Sequence, residues 1–169
     1  MTMTKVKDIL AQRPKGAYIY RIMYNKDIPF YIGCTLSNVQ ARFKTHMAKF
    51  YGEKKYPNRP NCQEIVTEHQ DLKYKCTGRQ THGYAEIRQL FKRLNINFDL
   101  YNADVILEQY AEDTVDPRGI ELTEGISKWP LTNKFYIERI ETDMIATEHP
   151  LANDETVHLA ERKLKNEKD

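Results

Sequence analysis

Two neighbouring stretches decide the fold: Ala17-Tyr18-Ile19-Tyr20-Arg21-Ile22-Met23-Tyr24 and Phe30-Tyr31-Ile32-Gly33. The first is dense in aromatic and β-branched residues, and strand alternation sets Tyr18, Tyr20, Ile22 and Tyr24 on one face. Between the two, Asn25-Lys26-Asp27-Ile28-Pro29 carries turn chemistry. The pair therefore predicts a β-hairpin whose second strand ends at Gly33.

Downstream, Ser37 or Asn38 can cap a helix that places Val39, Arg42, Phe43, His46, Met47 and Phe50 at helical spacings, mixing apolar and basic side chains. Residues 51–80 change character. Gly52, Pro57, Pro60 and Gly78 are scattered among Lys, Tyr and Asn, which reads as an inserted loop region with only a short helix around residues 63–70. Periodicity returns over residues 83–94, where Ile87, Leu90, Phe91 and Leu94 align, and residues 103–110 supply a third strand. An acidic connection, 111–130, leads to a helix over residues 132–147 with Phe135, Ile137, Ile140, Met144 and Ile145 as its buried stripe and Pro150 at its exit. Asp154 is read as the cap of a last surface helix or tail over residues 154–169. The expectation is a small α+β domain over residues 1–153: a three-stranded antiparallel sheet flanked by helices.

Composition sets the outer bounds. The 169 residues suit one domain, and 40% hydrophobic with 30% charged residues excludes both a disordered tail and a membrane protein. No apolar run approaches the ~18–20 residues of a membrane span, and residues 1–14 lack the apolar segment of a secretory signal, so a cytoplasmic protein with no membrane partner is expected. Three cysteines, Cys34, Cys62 and Cys76, read as reduced thiols rather than a disulfide framework. The net charge of +2 hides an asymmetry: residues 1–100 carry 18 Lys/Arg against 8 Asp/Glu, and residues 101–169 carry 8 against 16. A basic half holding most of the eleven tyrosines suggests a polyanion-facing surface, since cations neutralise phosphates and rings stack on bases. The competing reading is a set of solvated helix faces.

The motifs resemble the GIY-YIG endonuclease family over residues 18–153, with one large interruption. The family has two short strands, Gly-Ile-Tyr and Tyr-Ile-Gly, about ten residues apart; here Tyr18-Ile19-Tyr20 and Tyr31-Ile32-Gly33 are ten apart, with Tyr18 where the family has glycine. A rival register, Gly16-Ala17-Tyr18, leaves twelve. The preferred register makes Tyr20 the family's first tyrosine. Arg42 and His46, four apart on one helical face, are similar to the family's arginine and histidine. Glu141, followed by Pro150-Leu151-Ala152-Asn153, looks like its metal-binding glutamate block.

The resemblance implies a Mg²⁺-dependent DNA endonuclease using one metal ion, with Mn²⁺ as a possible substitute and no nucleotide cofactor. Glu141 would hold the metal, since Mg²⁺ takes few protein carboxylates. Arg42 would fork onto a phosphate. Tyr20 would serve as general base or orient the attacking water, with Tyr31 in support; a phenol of pKa ~10 needs nearby positive charge for base duty. His46 could shuttle a proton, and Asn153 could fix the helix exit by a side-chain hydrogen bond. The bland roles are strand packing for the tyrosines, surface helix positions for Arg42 and Glu141, and a simple cap for Asn153.

In the insert, Lys54, Lys55, Arg59, Lys73, Lys75 and Arg79 are interleaved with Tyr51, Tyr56 and Tyr74, which suggests a DNA-positioning element. A tolerated surface loop is the alternative. Cys62, His69, Cys76 and His82 could in principle bind zinc, although their spacing fits no standard finger. A compact nuclease with an insert and no recognisable second domain suits a phage, mobile-element or restriction-type role, and cutting both strands specifically would call for a homodimer. The alternatives are a repair or recombination nuclease specific for DNA structure, a binding module that lost catalysis, and an interaction domain using the acidic half.

Overall fold

The computed structural model describes residues 2–51, 62–66, 72–76, 79–80, 82–110 and 133–168. The acidic connection and Lys54, Lys55, Arg59 and His69 lie outside the described residues, as does the side chain of Phe135. In chain order the elements are β1 (Thr2–Lys5), α1 (Val6–Gln12), β2 (Ala17–Met23), β3 (Pro29–Thr35), α2 (Val39–Tyr51), β4 (Cys62–Val66), β5 (Leu72–Cys76), β6 (Arg79–Gln80), α3 (His82–Arg93), β7 (Asp104–Tyr110), α4 (Asn133–Glu148), a 3₁₀ turn (Val157–Leu159) and α5 (Ala160–Lys168).

The expected hairpin forms: β2 and β3 pair antiparallel, with Tyr20 opposite Gly33 and Tyr18 opposite Thr35. Asn25 closes its turn by accepting hydrogen bonds from the amides of Asp27 and Ile28, both at 2.8 Å. The third strand, β7, lies on the other side of β2. The α+β class holds, but the main sheet has four strands, β1-β7-β2-β3, and not three. The added strand, Thr-Met-Thr-Lys, is too short to display alternation, and it is held as an edge by its pairing with β7.

The sheet is covered on both faces. Tyr18, Tyr20, Ile22, Phe30, Val105 and Leu107 belong to a core that also takes in buried residues of α1, α2 and α3. On the other face Ala17, Ile19 and Ile32 meet Ile137 and Ile145 of α4, with Ile140 and Met144 packed alongside. A forked ion pair from Arg21 to Glu148, at 2.8 Å, ties β2 to the end of α4. The last helix is not peripheral, because Ala160 and Leu164 are buried in the first core.

The insert differs from its reading as loop and short helix. Cys62–Val66, placed near a helix by the sequence reading, is a strand, and β4, β5 and β6 form a second antiparallel sheet. Pairing across β4 and β5 satisfies five residues on each strand, which outweighs the weak helical preference of Gln and Glu. Lys73 and Lys75 fall on β5, Arg79 on β6, and Cys62 stands opposite Cys76 in the register. Among the described residues, no helix is long and apolar enough to cross a membrane.

Candidate active site

Residues from six parts of the chain meet around the β3 end of the main sheet. From β2, Tyr20 projects onto the face covered by α2, completely buried, and its ring lies over Gly33. A Cβ on Gly33 would come to 2.4 Å from the Tyr20 hydroxyl oxygen, so only glycine permits this ring position. Tyr18 shares that face, but its hydroxyl donates to the Lys15 carbonyl at 3.0 Å. Its bulk is absorbed in the core.

Helix α2 starts where Asn38 accepts a hydrogen bond from the Ala41 amide at 3.0 Å, as its capping role predicts. One helical turn then presents Arg42 and His46. Arg42 remains accessible at the rim, and its positive charge acts on the Tyr20 phenol. His46 is buried, its Nε2 is 2.7 Å from the Tyr20 hydroxyl, and the Tyr31 ring packs on the imidazole at 4.4 Å between centroids. A residue that the sequence reading did not single out completes this cluster: Tyr84 of α3, whose hydroxyl is 2.6 Å from His46 Nδ1.

The opposite side comes from α4 and the segment after it. Glu141 lies near Cys34 of β3 and within the field of Arg42. Beyond α4 the chain zips along β3: the Leu151 amide donates to the Pro29 carbonyl at 3.1 Å and the Ala152 amide to the Phe30 carbonyl at 2.8 Å. Asn153 extends the zipper with its side chain, accepting from the Ile32 amide at 2.9 Å and donating to the Ile32 carbonyl at 2.8 Å. Its fixing role is thus exerted on β3, between Tyr31 and Gly33. Asp154 does not cap its own helix. It accepts from the Gly83 amide at 2.6 Å, and a Cβ at Gly83 would strike the Ala152 carbonyl at 2.1 Å, so the first turn of α3 sits directly on the Asn153 segment.

The electrostatics follow from burial. Desolvation, helped by Tyr31, raises the Tyr20 phenol well above its ordinary range, and Arg42 opposes this. Burial pushes Tyr31 up to about 12, again against Arg42. Burial, then the charges of Arg42 and Lys49, hold His46 well below the usual imidazole range, so it is neutral at pH 7. Glu141 is raised by desolvation and lowered by Cys34 and Arg42.

Of the sequence-predicted set, Tyr20, Tyr31, Arg42, His46, Glu141 and Asn153 come together. Lys73, Lys75 and Arg79 fall on the strands of the second sheet. Tyr84 carried one sequence signal, its place in the helical series Tyr84, Ile87, Phe91, Leu94, which marks a buried position and nothing more specific. Among the described residues no group of three or more His, Cys, Asp or Glu is placed to hold a metal ion. No protein-family model, curated protein or solved structure matches the chain.

Proposed function

We propose that the chain is a Mg²⁺-dependent DNA endonuclease of the GIY-YIG type, acting through Tyr20, Tyr31, Arg42, His46 and Glu141. The observation that carries the reading is the convergence itself. Six residues chosen for their chemistry along 134 positions of sequence, from Tyr20 to Asn153, gather around the end of one strand. A folding core alone has no need to bring an arginine, a histidine, two phenols and a carboxylate to one half-buried place, where each polar group has a desolvation cost.

The donor set fits a small hard cation. Glu141 is a single carboxylate in a partly desolvated position, and Mg²⁺ characteristically takes one or two protein carboxylates and completes its shell with water and phosphate oxygens. When bound there, the ion supplies Lewis-acid charge at the phosphoryl oxygens. Arg42, accessible at the rim, forks onto a phosphate oxygen and holds the diester against Tyr20. Tyr20 orients the attacking water. As Tyr20 takes a proton from the water, its own proton passes to His46 Nε2, 2.7 Å away. The water oxygen bonds to phosphorus, the bond to the 3′ oxygen breaks, and that oxygen takes a proton from solvent, leaving 5′-phosphate and 3′-hydroxyl ends. A resting Tyr20 phenol is too weak an acid to ionise first, so the two proton movements occur together.

The test is cleavage of supercoiled plasmid by the purified chain with Mg²⁺, Mn²⁺ or EDTA, beside Glu141→Ala and Tyr20→Phe. Metal-dependent nicking by the wild type that falls at least ~10²-fold in both variants supports the assignment. A wild type that binds DNA but leaves plasmid, branched and single-stranded substrates intact would replace it with a binding module.

A further inference from the structure

His46 is buried between two phenols, with Tyr20 at 2.7 Å from Nε2 and Tyr84 at 2.6 Å from Nδ1. A neutral imidazole carries one N–H, so one nitrogen donates and the other accepts. The two hydroxyls are therefore not equivalent. The proposed reaction selects between them, because His46 Nε2 can take the Tyr20 proton only when that nitrogen is bare. The ring proton then belongs on Nδ1, facing the Tyr84 oxygen.

We propose that Tyr84 is a positioning residue of this site: by accepting the Nδ1 proton of His46 it locks the imidazole in the tautomer whose Nε2 accepts the Tyr20 hydroxyl. Its place in the fold suits this duty. Gly83 anchors the first turn of α3 on Ala152 and Asp154, in the segment that Asn153 zips to β3. The Tyr84 hydroxyl is thereby referenced to the strand that carries Tyr31 and Gly33. Phe30 and Phe50 pack edge-on to the Tyr84 ring at 5.8 and 6.5 Å, and Tyr31 lies 5.7 Å from it, which restricts its swing.

The tautomer and its kinetic consequence both rest on the nuclease reading, but the tautomer is read without any cleavage assay. The experiment is nitrogen-15 NMR of the histidine-labelled full chain, wild type and Tyr84→Phe, with the His46 resonances assigned by loss in His46→Gln. The expected result is Nδ1–H in the wild type, and a shift to Nε2–H or a mixture in Tyr84→Phe. Nε2–H in the wild type, or the same tautomer in both proteins, overturns the proposal. The wild-type spectrum decides it even if Tyr84→Phe fails to fold. On plasmid, kcat of Tyr84→Phe is expected to fall at least about tenfold with KM little changed, and its pH profile to shift. The groups facing the pair are Tyr31, Arg42, Lys49 and Glu141, all of which the variant retains. A folded Tyr84→Phe with wild-type kcat and pH profile also overturns the positioning role. A wild type with the expected tautomer but no cleavage of any DNA would sink the nuclease reading and leave the Tyr84–His46 assignment standing.

Discussion

Tyr20 and Gly33 face each other across the β2–β3 ladder so closely that a Cβ at position 33 would lie 2.4 Å from the Tyr20 hydroxyl oxygen and 2.5 Å from its ring carbon Cζ. Gly33 is thus the floor beneath the Tyr20 ring. Gly33→Ala must push the ring aside, away from His46. Overpacking of this kind typically costs ~1–3 kcal/mol, read by urea denaturation. On the proposed nuclease reading, cleavage should fall far more, by at least ~10²-fold, because the Tyr20–His46 bond is lost with the ring position. A Gly33→Ala protein that is destabilised but cuts normally would separate Tyr20 from the chemistry.

Asn153 makes a different kind of prediction, since both its bonds go to backbone. Asn153→Ala leaves the buried amide and carbonyl of Ile32 without these partners, at ~1–3 kcal/mol for each group. A stability loss of ~2–4 kcal/mol is expected in chemical denaturation. Asn153→Asp keeps the acceptor but turns a carboxylate oxygen toward the Ile32 carbonyl, so it should be no better than alanine. An aspartate variant as stable as the wild type would show that the donor half of the pair is dispensable.

The buried imidazole gives stability a pH dependence with a definite sign. His46 is neutral when folded because burial, Arg42 and Lys49 depress its pKa, whereas in the unfolded chain it titrates near ~6.5. Below that pH the unfolded state binds the additional proton. Its contribution is therefore complete above about pH 6.5 and is lost progressively as pH falls toward the folded-state value, with a slope of at most ~1.4 kcal/mol per pH unit. Comparing wild type with His46→Gln between pH 7.5 and 5.5 isolates this share. The variant should show the shallower decline.

What the sequence makes legible is local. The hairpin, α2, α3 and α4 stand out because their apolar spacing is sustained over one or more turns or strand repeats, and Asn38 caps its own helix three residues away. The missed features depend on partners that spacing cannot reveal. Four residues at the start of the chain become a strand only because β7 offers an edge. Gln63 to Val66 become a strand only because β5 lies opposite. Asp154, suited by type and position to cap the last helix, bonds Gly83 instead. Tyr84 reads as one more apolar position of a helix, and its hydroxyl acquires meaning only when His46, far back in the sequence, arrives beside it. The resemblance selected Tyr20, Tyr31, Arg42, His46, Glu141 and Asn153 by their order along the chain; the residues holding them in place, Gly83 and Tyr84 among them, belong to packing.

Under the proposed reading, Glu141 brings stability and chemistry into opposition. Its carboxyl is raised above the usual range mainly by desolvation, with Glu155 and Glu138 adding to the effect, so at neutral pH the ionised form is held at a cost despite Arg42 and Cys34. Sites of this kind are relieved either by neutralising the side chain or by binding a cation. Glu141→Gln should therefore unfold at the same temperature as the metal-free wild type or higher, while cleaving at least ~10²-fold more slowly. On the proposed Mg²⁺ site, adding the ion should raise the wild-type Tm with the logarithm of ligand excess, by about 2.7 kcal/mol of stability at a hundredfold excess over Kd, and leave Glu141→Gln unmoved. Thermal scans of both proteins with EDTA and with increasing Mg²⁺ make the comparison. If both respond equally, the ion is binding elsewhere on the chain, and Glu141 is not its ligand.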